Sequence, residues 1–248
     1  MLLIRRFREL AIAVTVAGAT LAQAQPAAPA PAPATQSADA LRLLDLWLAA
    51  QVAYDKVPAL SAGVMINGEL VWTAGYGAVD DQRRIRPGPD TLYSVCSISK
   101  LFTSVAVMTL WDSGRLALDD DISRYLPDFK LRRTDADSGP ITIRSLLTHS
   151  SGLPREAAAG AWTAPDFKTP DREQMLAGLA SMKTQSRASD HYAYSNLGMV
   201  VLGEVVAAVS GIPYRQYVQQ TILDPLQLSD TRPVFPTDWL GTRLPRGH

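Results

Sequence analysis

The chain has 248 residues, 47% hydrophobic and 19% charged, a composition that supports a packed core and excludes disorder as the main state. Its 24 Lys and Arg balance 24 Asp and Glu, so the basic excess of a nucleic-acid binder is absent. One cysteine, Cys96, excludes an intramolecular disulfide or a cysteine-clustered zinc site, and three histidines leave little for any metal centre.

Residues 1–24 read as a secretory signal peptide. Arg5, Arg6 and Arg8 precede an apolar run from Leu10 to Ala22, which is too short to span a bilayer and ends in the small-residue site Ala22-Gln23-Ala24. Arg5-Arg6-Phe7 faintly suggests the twin-arginine route. The expected location is therefore periplasmic or secreted in a bacterium, without stable membrane insertion after cleavage. Residues 25–36 alternate Pro and Ala, which removes backbone donors and makes a semi-rigid linker. Residues 37–248 are the folded domain.

Within that domain, Leu41, Leu44, Trp47, Leu48 and Val52 recur at helical steps and predict an amphipathic helix ending near Val57-Pro58. Ala62 to Ile66 and Leu70 to Tyr76 are β-prone runs around Asn67-Gly68, a pair suited to a type I′ hairpin turn. Asp80 to Asp90 reads as a surface loop. A helix from about Ser97 to Ser113, stopped by Gly114, is apolar around most of its circumference and is expected to be central and buried. Asp119-Asp120-Asp121 reads as part of a solvated linking stretch rather than a cation site. Thr142 caps a short helix to about Thr148, and residues 154 to 170 are loop-like. Further helices are expected at Asp171 to Ser181, Asn196 to Ser210 and Tyr214 to Ile222.

Several signatures of catalysis are missing, among them Gly-x-Ser-x-Gly, His-Glu-x-x-His and the phosphate-binding Gly-x-x-x-x-Gly-Lys. Ser97-Ile98-Ser99-Lys100 remains. A lysine three residues after a serine lies one helical turn away on the same face, where it can exchange a proton with the hydroxyl. Burial of that helix start would favour a neutral amine. With 18 Ser and 5 Lys the spacing arises by chance about 0.4 times, so alone it decides little. Tyr194-Ser195-Asn196, at the start of the second apolar helix, is rarer, at about 0.06 chance occurrences. Its phenol could share a proton with the serine and lysine, and its amide could fix a substrate carbonyl. Spacing alone equally allows Tyr194 and Asn196 merely to cap and pack the helix.

The stretch from Asp90 to Thr103 resembles the nucleophile segment of serine β-lactamases and penicillin-binding proteins, in the class C β-lactamase-like branch with its D-alanyl-D-alanine peptidases and esterases. Ile141 to Pro154, Tyr194 to Gly198 and the hairpin with Gly63 and Asn67-Gly68 are similar to further parts of that family, so the likeness covers roughly residues 40 to 240. It implies an α+β, β-lactamase/transpeptidase-like fold: an antiparallel sheet flanked by helices plus a mostly helical lobe. It also implies Ser97 as the acyl-accepting nucleophile, Lys100 as its proton partner, Tyr194 as general acid/base and Asn196 as holder of the substrate amide. No cofactor or metal is implied. The substrate would be a β-lactam, a D-alanyl peptide derived from peptidoglycan, or a small ester.

One departure stands out. The family's late-strand motif, Lys-Thr-Gly or His-x-Gly, is not found: Lys168-Thr169-Pro170, Lys183-Thr184-Gln185 and His191-Tyr192-Ala193 all fail the pattern. The chain is therefore expected to be incomplete, without the C-terminal strands and final helix. The rival expectation is a catalytically impaired, penicillin-binding-like protein. His149 and His191 could be assigned to a Ser-His-Asp triad, but His149 is expected to be a packed structural residue, and Cys96 a buried, inert thiol.

Overall fold

The computed structural model describes residues 33–245 apart from 81, 83, 130, 136, 157–171, 180, 181 and 235. The expected signal peptide, most of the linker, Lys168-Thr169-Pro170 and most of the loop at 154–170 lie outside the described residues. The chain divides into a unit ending at Trp47 and a second running from Leu48 onward.

Helix α1, Pro33–Tyr54, starts four residues before Ser37, inside the stretch read as linker. Leu41, Leu44 and Leu48 are half-buried and Val52 is buried, as their spacing requires, whereas Trp47 stands 60% exposed.

Strands β1 (Ala59–Ile66) and β2 (Glu69–Gly77) form an antiparallel hairpin. Asn67 and Gly68 both have positive φ, 52° and 84°, which is the type I′ geometry expected of this pair. Among the described residues the sheet has these two strands alone. Its base is tied to the loop that follows. The Ser61 hydroxyl donates to the Gly88 carbonyl at 2.9 Å and meets the Tyr93 hydroxyl at 3.0 Å. Gly75 lies so close to Pro87 that a Cβ would sit 1.8 Å from its carbonyl oxygen.

The helical part holds the core. Helix α2 (Ser99–Asp112) packs with α5 (Asn196–Ser210) and with α6 (Tyr214–Val218), which continues as a π-helical turn, Gln219–Leu223. The short α3 (Ile143–Leu147) also lies against α5, and α4 spans Arg172–Leu179. Ala106, Val107 and Leu110 of α2 meet Leu197, Val201, Leu202, Val205 and Val206 of α5, with Ile143, Leu146, Leu153 and Leu223 closing the cluster. Each such Val, Leu or Ile side chain contributes about 1.5–3 kcal/mol by leaving water. A hydrogen bond of 2.7 Å between Thr103 and Tyr214 ties α2 to α6 inside this packing.

The caps are where local chemistry asks for them. Thr142 and Ser145 form a reciprocal capping box on α3, Ser195 caps α5 through the Gly198 N–H, and Gly114 and Gly211 end α2 and α5 with φ of 70° and 78°. The three aspartates are structural. Asp119 pairs with Arg144, Asp120 with Arg124 and Tyr125, and Asp121 caps the 3₁₀ turn Ile122–Arg124.

The α2 expectation needs correction. The helix is not buried all round: Leu101, Val105, Met108 and Trp111 are 36–64% exposed. Core helices cover only the Thr103, Ala106, Val107 and Leu110 side, and among the described residues nothing packs over the other.

Two glycines with positive φ separate conformational strain from crowding. Gly114 has open space around its would-be Cβ, whereas Gly152 (φ 74°) would place one 2.3 Å from the Ser186 carbonyl oxygen. Gly114→Ala is expected to cost about 1–2 kcal/mol and Gly152→Ala more than about 3 kcal/mol in urea unfolding. Equal losses would contradict the crowding argument.

Candidate active site

Ser97 lies in a 3₁₀ turn, Cys96–Ile98, that leads into α2. The turn is closed by the Ile98 N–H donating to the Val95 carbonyl at 2.9 Å, and it requires φ of 44° at Cys96, a left-handed value unusual for a residue with a Cβ. The sharp turn holds the Ser97 side chain in the open. From the first turn of α2, the Lys100 ammonium donates to Ser97 Oγ at 3.1 Å. From the segment preceding α5, the Tyr194 hydroxyl donates to the same oxygen at 2.9 Å, joining residues 97 positions apart. Lys100 Nζ stands 4.8 Å from the centre of the Tyr194 ring.

Two donors fill both lone pairs of a serine oxygen, leaving its own proton free to turn elsewhere. The hydroxyl is therefore held at rest in a fixed position. It becomes nucleophilic only when one neighbour has given up its proton and can accept another. The Tyr194 phenol is suited to that exchange. Its hydrogen bonding to Lys100, then to Ser97, holds it below the ordinary phenol value against the opposing effect of desolvation, and the nearby charges of Lys100 and Arg155 act in the same direction.

The start of α5 is held by the chain around Pro154. The Arg155 carbonyl accepts from the Asn196 and Leu197 N–H groups at 2.8 and 3.2 Å, and Ser195 Oγ donates to the Pro154 carbonyl at 2.6 Å. The Asn196 amide is not open on both sides, because Nδ2 donates to Glu156 Oε1 at 2.6 Å. Arg155 places its guanidinium carbon 5.1 Å from the Tyr194 ring centre and its Nε 3.5 Å from Glu156 Oε1. Arg155 and Glu156 belong to no motif in the sequence; their one signal is an adjacent pair of opposite charges directly after Ser151-Gly152-Leu153-Pro154.

His149 is a packed residue. Its ring lies 4.7 Å from Tyr194 and edge-on to Tyr192, and Nδ1 accepts the Ser195 N–H at 3.2 Å. Desolvation, then the charge on Lys100, push its pKa down, which suits an imidazole that must keep an acceptor nitrogen. His191 faces Asp190 at 3.3 Å, and Ser151 is buried. Among the described residues no serine hydroxyl bonds either imidazole, so the triad alternative has no geometric basis.

Two other expectations are corrected. The helix start is not buried: Ser97 and Ser99 are exposed and Ile98 is 57% exposed, because no described element covers that side. Cys96 is likewise exposed rather than buried. Lys183-Thr184 lies elsewhere, bridging to Arg132 and bonding Thr134, and takes no part in the site.

A family model described as Beta-lactamase matches residues 44–233, about three quarters of the chain. The chain belongs to this family, with the serine β-lactamase/transpeptidase fold. It is 36% identical to the D-alanyl-D-alanine-carboxypeptidase/endopeptidase AmpH of Escherichia coli K12 over 168 residues, which are 68% of this chain and 43% of that protein. Among solved structures, it is similar to an octameric penicillin-binding protein homologue from Pyrococcus abyssi at 30% identity and a TM-score of 0.71. That match covers 84% of this chain and 47% of the other. A β-lactamase/D-alanine carboxypeptidase from Yersinia pestis, complexed with citrate, matches at 30% identity and a TM-score of 0.64 over 76% of this chain and 52% of that one. The chain thus spans about half the length of the relatives it matches.

His149 gives a pH prediction with a definite sign. A pKa lowered by folding means that the unfolded state binds the proton more readily, so this contribution is fully present above the ordinary imidazole value of 6.5 and is lost as pH falls below it. Between about pH 7.5 and 5, stability of the wild type should fall more steeply than that of His149→Asn in denaturant titrations. Parallel slopes would show that His149 contributes nothing to acid sensitivity.

Proposed function

We propose that this chain is an exported serine hydrolase that forms an acyl-enzyme on Ser97. The observation carrying the proposal is the pair of hydrogen bonds from Lys100 and Tyr194 to one serine oxygen. In the proposed reaction, Tyr194 with its proton withdrawn takes the proton of Ser97 as Oγ attacks the substrate carbonyl. The Lys100 ammonium stabilises the phenolate before the step. The tetrahedral oxyanion is met by the Ser97 backbone N–H, at the positive end of the turn leading into α2. On collapse the carbonyl–leaving-group bond breaks, Tyr194 returns its proton to the departing nitrogen or oxygen, and water later cleaves the ester. Asn196 holds the substrate amide.

The substrate is a β-lactam, a D-alanyl peptide or a small ester. The likeness to the E. coli D-alanyl-D-alanine carboxypeptidase favours the D-alanyl peptide for this chain. The location proposed from residues 1–24 is the periplasm or the exterior, where peptidoglycan-derived peptides are found; nucleic acid is not among the proposed partners. A second reading is a penicillin-binding-like protein that is acylated on Ser97 but turns over slowly, and it differs from the first in whether ester hydrolysis follows labelling.

Fluorescent penicillin or a fluorophosphonate should label the purified protein at Ser97, and Ser97→Ala should abolish the label. Tyr194→Phe should slow acylation by about 10²–10⁴-fold while the thermal melt stays unchanged. Labelling without ester hydrolysis would select the second reading, and an unlabelled wild-type protein would remove both.

A further inference from the structure

We propose that Arg155 is a positioning residue for the acylation base: it clamps the chain around Tyr194 and keeps a fixed positive charge beside the phenol, an inference that rests on reading Tyr194 as that base. The main chain supplies the clamp. Ala193 donates its N–H to the His149 carbonyl at 2.7 Å and Ser195 donates to His149 Nδ1 at 3.2 Å. Asn196 and Leu197 donate to the Arg155 carbonyl at 2.8 and 3.2 Å. Tyr194 is thus held from both sides by one segment, with Arg155 at its end.

Three groups then face the Tyr194 ring. The His149 ring lies 4.7 Å from its centre, Lys100 Nζ 4.8 Å and the Arg155 guanidinium carbon 5.1 Å. Desolvation, then the charge on Lys100, hold His149 below the ordinary imidazole value, so it is neutral where a phenol titrates. Lys100 donates to Ser97 Oγ and belongs to the relay, so its proton is among those being exchanged. Arg155 stands outside the relay, and a guanidinium keeps its charge at every working pH.

That charge is attracted to the ring while the phenol is neutral, and more strongly once the ring is a phenolate. Glu156 Oε1, 3.5 Å from Arg155 Nε, anchors the guanidinium and offsets part of its charge. The Arg155 side chain is 68% exposed, so solvent screens it and sets the scale of the effect. A unit charge about 5 Å away in water-like surroundings moves a titration by no more than roughly half a pH unit.

The test reads Tyr194 directly and also through Ser97. In protein carrying ring-labelled tyrosine, the carbon NMR signal that disappears in Tyr194→Phe reports the titration of this phenol. Arg155→Leu keeps the main-chain clamp and removes the charge; it should raise the midpoint by about 0.3–0.5 pH unit with an unchanged thermal melt. Fluorophosphonate labelling of Ser97 should follow, slowed about two- to threefold below the midpoint and within about 1.5-fold of wild type on the alkaline plateau. Arg155→Lys should restore part of the shift, and added salt should narrow the gap between wild type and Arg155→Leu. An unmoved midpoint in Arg155→Leu, equal shifts in the Leu and Lys variants, or labelling slowed equally at every pH would each overturn the inference; the last would leave Arg155 as cover for the ring. A moved midpoint in a protein whose Ser97 takes no label sinks only the acyl-enzyme, and labelling with an unmoved midpoint sinks only the role of Arg155.

Discussion

The hydroxyl of Ser97 is a meeting point for groups that local sequence cannot bring together. Lys100 reaches it from the next turn of the same helix, a contact that helical geometry makes short. Tyr194 arrives from 97 residues away, and its position depends on α2 and α5 being packed against each other. Apolar burial of Ala106, Val107 and Leu110 against the α5 face is thus what sets an oxygen–oxygen distance of 2.9 Å at the surface. Interiors packed at crystal-like density transmit displacement rather than absorb it. A cavity in this seam would therefore move the phenol as well as cost stability.

Elements specified by a few neighbouring residues were legible from the chain alone. Asn67-Gly68 announced the hairpin, Thr142 marked a helix start, and Gly114 marked a helix end, because in each case a short-range hydrogen bond or a positive φ decides the conformation. What failed depended on distant parts. The apolar circumference of α2 implied burial on every side, yet burial requires a neighbour, and only one side has one among the described residues. The same shortfall left Cys96 and the start of the helix exposed. Ser97 was expected at the first position of a regular helix, whereas it occupies a tight turn made possible by φ of 44° at Cys96. That strain is decided by the turn as a whole, and no residue type at position 96 advertises it.

At the site, residue types were easier to read than their partners. Ser97, Lys100 and Tyr194 were singled out as groups able to pass a proton, and they are found within hydrogen-bond reach of one another. Asn196 was expected to hold a substrate amide, and one of its donors is taken by Glu156. Sequence pattern supplies functional groups but not which lone pair or N–H is already occupied, and that occupancy determines what a ligand meets. His149 shows the same principle in reverse. It is a residue type associated with catalysis, yet its acceptor nitrogen is committed to the Ser195 N–H and its ring to the side of Tyr194.

The proton-handling and charge-stabilising parts of an acylation centre are physically separable. The first needs Ser97, Lys100 and Tyr194 in contact, and the packed helices supply that contact. The second needs at least two N–H donors converging where the oxyanion will form, and removing one such donor commonly slows the chemical step by about 10²–10³-fold. Among the described residues Ser97 has its own N–H at the turn, but no strand with Lys-Thr-Gly or His-x-Gly lies beside it. In general, a proton relay with incomplete oxyanion support reacts with a strained or activated acyl group more readily than with an unstrained amide, where the barrier lies in forming the tetrahedral oxyanion. Relative reactivity toward activated and unactivated acyl donors therefore reports on the oxyanion side, whereas labelling of Ser97 reports on the relay.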